Sequence, residues 1–160
     1  MSQDQTPRPP ITGEWQRQAH RQTIQRSAAQ CYALFCDFER TPEWLVELRS
    51  ARVRSYDAAG RPAVVDYMAA QVRGGYVYPM HYEYDAEGLA VSWKGVVKGG
   101  VRHIEGAVRF TPQGADACEM IYETAIGLSA ELPAWFRSSQ QDRPVEQMCQ
   151  AFKRWAEGTE

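Results

Sequence analysis

Two histidine–glutamate pairs, His81 with Glu83 and His103 with Glu105, are the first places in this 160-residue chain where side-chain type and spacing suggest chemistry. On a β-strand a separation of two puts both side chains on one face, within reach of a shared metal ion or of a proton in transfer. Their surroundings argue against that use. Tyr78, Met80, Tyr82 and Tyr84 share one face, leaving Pro79, His81 and Glu83 on the other. Likewise Ile104, Gly106, Val108 and Phe110 oppose His103, Glu105 and Arg109. Both pairs thus fall on the polar face, where they read as exposed cross-strand pairs. His20 has no obvious partner. Cys31, Cys36, Cys118 and Cys149 show neither Cys-x-x-Cys pairing nor a histidine at zinc-finger spacing, and read as reduced, half-buried thiols. There is no nucleophile elbow, phosphate loop or dinucleotide fingerprint after a strand. No catalytic set, metal site or cofactor is expected.

The opposite face carries the other kind of chemistry. Along the later strands, Leu89, Val91, Trp93, Gly95 and Val97 point one way, as do Cys118, Met120, Tyr122, Thr124 and Ile126. For the strand before them, Val65, Tyr67, Ala69 and Gln71 are assigned inward, although Val64, Met68 and Val72 share the opposite parity. The inward set mixes bulk (Trp93, Phe110, Met80), phenols (Tyr67, Tyr82, Tyr122) and gaps (Ala69, Gly95, Gly106). Phenols in an apolar wall need hydrogen-bond partners, and a pocket can use them to fix the polar end of a ligand. The plainer possibility is that they fill an ordinary core.

The elements that position these residues follow from changes of period. Residues 1–14, with Pro7, Pro9 and Pro10, read as a disordered leader, and residues 15–158 as one folded domain. A strand is expected over 16–26. Ser27-Ala-Ala-Gln30 is a capping box for a helix that buries Cys31, Leu34 and Phe35. A second short helix is expected to start at Thr41-Pro42-Glu43, with Thr41 as cap and Trp44, Leu45 and Leu48 on its apolar side. Six strands follow, 51–56, 63–73, 76–85, 89–98, 102–111 and 117–128, punctuated by glycine turns such as Gly74-Gly75 and Gly99-Gly100. Connections this short force antiparallel neighbours. A final amphipathic helix is expected over 132–157, with Pro133 near its start, a kink at Pro144, and Phe136, Val145, Met148, Phe152 and Trp155 on one face. The fold class is α+β, a curved antiparallel sheet of six to seven strands wrapped around a long C-terminal helix.

That order, with Asp37-x-Glu39-x-x-Pro42-Glu43-Trp44, Trp93, Gly106 and Leu132-Pro133, resembles the START-like helix-grip superfamily (SRPBCC). The nearest likeness is to its bacterial polyketide cyclase/dehydrase and coenzyme-Q-binding-like branch. The resemblance implies a deep apolar cavity between sheet and final helix that holds a lipid, quinone or polyketide-like molecule. With parity, it makes Tyr67, Met80, Tyr82, Trp93, Phe110, Tyr122, Met148 and Phe152 the expected ligand-binding residues. It implies no shared catalytic set. Alternatives are an aromatase/cyclase-type enzyme acting in the same cavity, and a ribosome- or protein-interaction module. A net charge of −2 argues against a nucleic-acid partner. No apolar run is long enough to span a bilayer and the first residues lack an apolar secretion segment, so a cytoplasmic location without membrane insertion is expected.

Overall fold

A computed structural model describes residues 16–69, 77–97, 102–128 and 145–159. The expected leader, the first half of the expected final helix with its Pro144 kink, and the paired glycines at 74–75 and 99–100 lie outside the described residues. Seven strands, β1 Gln16–Ile24, β2 Leu48–Tyr56, β3 Pro62–Ala69, β4 Val77–Asp85, β5 Ala90–Val97, β6 Arg102–Pro112 and β7 Cys118–Leu128, form one antiparallel sheet in the order β1-β7-β6-β5-β4-β3-β2. Consecutive strands from β2 to β7 are neighbours, as short hairpins dictate, and β1 closes the far side on β7.

Between β1 and β2 lie α1 (Ala28–Phe35) and a 3-10 helix (Phe38–Glu43). Ser27 caps α1: its hydroxyl accepts the Gln30 N–H at 3.1 Å and donates to the Gln30 amide oxygen at 3.0 Å. The Gln30 side chain therefore closes on the hydroxyl, where a full capping box would close on the Ser27 N–H. The second helix differs more. The chain coils from Phe38 and finishes at Glu43, with Trp44 beyond its last residue, so Pro42 sits near its end and Thr41 does not cap it. Phe38 and Thr41, which the local pattern did not place together, both become buried on its inner side.

The described part of the final helix, α2 (Val145–Gly158), buries Val145, Cys149, Phe152 and Ala156. It lies across the sheet's inner face against β1 and β7. The Gln18 amide oxygen accepts the Val145 N–H at 3.1 Å, supplying one of the partners that a helix start lacks. At its other end, Arg26 donates to the carbonyls of Ala156 and Thr159, and Glu157 accepts the Gln25 N–H at 2.7 Å. Trp155 donates its indole N–H to Glu43 at 3.0 Å while the Arg40 guanidinium lies over its ring, 5.0 Å from the centroid. The core so enclosed holds Ile24, Phe35, Phe38, Trp44, Val65, Val91, Val108, Phe110, Met120 and Phe152.

Candidate functional site

Strand register brings the inward residues into rows. Tyr82 stands opposite Trp93, Trp93 opposite Gly106 and Gly106 opposite Thr124. One row over, His20, Tyr122, Val108, Val91 and Tyr84 follow across β1, β7, β6, β5 and β4. Of the eight expected ligand-binding residues, Tyr67, Met80, Trp93, Phe110, Tyr122 and Phe152 are buried, whereas Tyr82 and Met148 are half-buried. All eight belong to the core cluster or pack against it.

Aromatic rings link them into a continuous wall. Phe35 stacks on Trp93 with centroids 5.8 Å apart and meets Phe152 edge-on at 5.4 Å. Trp93 neighbours Tyr122 at 5.5 Å and Tyr82 at 6.1 Å, and Phe110 neighbours Phe152 at 5.9 Å. Trp44, buried as expected, meets Phe152 edge-on at 5.2 Å from the end formed by α1 and the 3-10 helix. Phe38 stacks on Tyr82 at only 4.0 Å. The expected gaps at two glycines are not open. A Cβ on Gly106 would lie 2.5 Å from the Trp93 indole, and one on Gly95 would lie 2.7 Å from the Pro79 carbonyl oxygen and 2.8 Å from the Met80 sulfur. Those spaces hold the tryptophan and methionine themselves.

Within the apolar wall runs one polar chain. The hydroxyls of Tyr67 and Tyr82 lie 2.6 Å apart, with the Thr41 side chain close to Tyr67 from the 3-10 helix. Burial pushes both phenols well above their ordinary range, so both stay neutral and able to donate at physiological pH. Tyr67 is enclosed. Tyr82 is half-buried. Tyr84 is spent on structure, donating to the Pro62 carbonyl at 2.6 Å. A second polar set comes from β1, whose inward residues Gln18, His20 and Gln22 are half-buried. His20, for which the sequence offered no partner, has its Nε2 3.2 Å from the Gln22 amide oxygen. Thr41, Phe38 and His20 were missing from the expected site. The clustering of polar residues at alternate positions in β1, otherwise a weak strand, was the available signal for His20.

The outer face needs one correction. His81 and Glu83 are exposed as expected, opposite Lys94 and Ser92. His103, expected to be equally exposed, is buried, with 7% of its surface accessible. Gly127 opposite it and Ala125 nearby are buried too, so this corner of the outer face is covered and parity alone misjudged its solvation. Next to it lies an open groove of about 420 Å³ lined by Arg17, Glu105 and Glu123 with Ala19, Ala107 and Ala125. Its charge makes it a poor host for an apolar molecule. The cysteines are free; Cys31, Cys118 and Cys149 are fully buried, Cys36 half-buried. Burial pushes Cys36 and Cys149 up to about 12, which makes them inert as nucleophiles.

The pattern of the family described as "Polyketide cyclase / dehydrase and lipid transport" matches residues 16–154. A search of curated proteins found no match. Among solved structures, a START superfamily protein from Mycobacterium smegmatis superposes with a TM-score of 0.72 at 16% identity, covering 86% of this chain and 94% of that one. Truncated norcoclaurine synthase from Thalictrum flavum gives 0.67 at 13% identity, covering 95% and 99%. The di-domain ARO/CYC StfQ of the steffimycin biosynthetic pathway gives 0.66 at 12% identity, covering 87% of this chain and 44% of that one. At these identities the likeness is one of fold. Among the described residues no helix is long and apolar enough to cross a membrane.

Proposed function

This chain belongs to the polyketide cyclase/dehydrase and lipid transport family, and on that premise we propose that it binds or carries a hydrophobic small molecule between the inner face of the sheet and α2. The observation that supports this most is the inner wall itself. Tyr67, Met80, Tyr82, Trp93, Phe110, Tyr122, Met148 and Phe152 belong to or pack against one hydrophobic cluster, and Tyr82 and Met148 are only half-buried within it. An apolar wall with few polar groups is how proteins hold such ligands, the apolar area giving affinity and the polar atoms orientation. The test is native mass spectrometry of protein purified from its own host, followed by extraction of whatever is bound. A co-purifying apolar molecule that quenches or shifts Trp93 fluorescence on rebinding supports binding. Protein that stays ligand-free and indifferent to apolar probes refutes it.

A second reading, turnover of a polyketide-like substrate in the same place, is favoured by two structural neighbours named as enzymes, a synthase and an aromatase/cyclase. Such a reaction needs little more than a shaped wall that holds a flexible chain near its attacking geometry. Incubation of the extracted molecule with fresh protein separates the two readings: a carrier returns it unchanged, an enzyme returns an isomer or dehydrated product.

A further inference from the structure

The outer face of the sheet carries charges that the aromatic wall does not use. On β1 and β7, Arg17 stands opposite Ala125 and Ala19 opposite Glu123, so Arg17 and Glu123 are diagonal neighbours. Diagonal positions lie within reach of long side chains, and opposite charges gain by pairing there. Further along the same two strands that pairing occurs: Arg21 and Glu119, in the same diagonal relation, meet at 3.0 Å. Arg17 and Glu123 do not. Both are exposed, among the described residues no ion pair joins them, and both line the open groove of about 420 Å³. Alanines make its floor. Ala125 separates Arg17 from Glu105 in one row, and Ala19 and Ala107 flank Glu123 in the next. The floor is therefore low and apolar while the rim is charged, and the volume is in the range of small-molecule sites.

We propose that this groove binds a small zwitterion, with its carboxylate on Arg17, its ammonium group on Glu123 and a short hydrocarbon body over the alanines. The forked guanidinium of Arg17 matches a carboxylate, and Glu123 is an acceptor for an ammonium group. A ligand with both charges completes the ion pair that the two side chains do not make directly. One with a single charge leaves the other side chain to water, so the groove selects for paired charges rather than for apolar area. It lies on the face opposite Tyr122 and Trp93, and the inference is independent of apolar binding at the inner wall.

The test titrates 6-aminohexanoate, hexylammonium and hexanoate against the full chain, followed by NMR of the alanine methyl groups. The zwitterion should shift Ala19, Ala107 and Ala125 and bind roughly three- to tenfold more tightly than either singly charged analogue. Its affinity should fall as salt is raised. Arg17→Gln should bring the zwitterion down to the affinity of hexylammonium, and Glu123→Gln down to that of hexanoate. Tryptophan emission, which reports the inner wall, should stay unchanged in both variants, showing that the fold is intact. No binding of the zwitterion at millimolar concentration, or binding no tighter than that of the analogues, would overturn the site. So would methyl shifts away from these alanines, or binding that either variant leaves at full strength.

Discussion

Gly106 shows how closely single positions are set by their neighbours. The indole of Trp93, opposite it in the ladder, lies where a Cβ would be, at 2.5 Å. Gly106→Ala must push an indole already held by Phe35, Tyr82 and Tyr122, and overpacking of this kind costs about 1–3 kcal/mol. We expect a lower thermal midpoint and altered tryptophan emission, both read on the purified variant; unchanged values would mean that the ring moves freely. From the sequence, Gly106 was legible as inward-facing because period two sets direction along a strand. That its space is filled was not legible, because parity says nothing of the partner strand's rotamers. The motif from Asp37 to Trp44 was similarly visible but not its division of labour. Glu39 accepts the Val53 N–H at 2.8 Å, Thr41 is buried, Glu43 holds Arg40 and Trp155, and Trp44 fills the core.

At the scale of elements, the seam between the 3-10 helix and α2 is held in part by charge. Hydrogen bonds from Arg40, at 3.2 Å, and from the Trp155 indole lower the Glu43 pKa, and Glu157 is lowered by the Gln25 N–H and by Lys153. A carboxylate whose folded pKa is depressed adds stability above its unfolded pKa, and that stability is lost as pH falls through the folded value. Midpoints measured across pH should therefore be flat near neutrality and fall below about pH 4. Glu43→Gln should lower the midpoint at pH 7, with the difference from the unmodified chain shrinking in acid. A difference constant with pH would show that the charge of Glu43 is irrelevant. The seam was only half legible. The end of the final helix near Glu157 and its apolar stripe stood out, but Pro42 suggested a helix start when the chain had begun coiling at Phe38. Tertiary demand for Phe38 and Thr41 on the inner side outweighed the local capping preference.

For the molecule as a whole, order and topology were readable because hairpins leave few options, and the closing strand β1 was the weakest signal because its inward side is polar. Phe152, fully buried between Phe35, Trp44 and Phe110, joins the helix to the sheet. Phe152→Ala should cost about 3–5 kcal/mol in denaturant unfolding. An apolar probe that fills the void should raise the variant's melting midpoint more than it raises that of the unmodified chain. Equal shifts would place the probe elsewhere. The Glu39 carboxylate on the Val53 N–H has a further consequence for how molecules behave in a crowd. β2 is an edge strand, and a row of unpaired N–H groups there would invite a strand from another copy to add on. With Glu39 seated on one of them, register shifts at Ser50 and Ser55, and Arg49, Arg52 and Arg54 exposed along the strand, an incoming chain would have to displace a carboxylate and bury guanidinium groups. Glu39→Ala should thus leave the monomer's sheet in place yet raise its tendency to self-associate. Light scattering at rising concentration would show this, and a variant as monodisperse as its parent would mean that the arginines alone guard the edge.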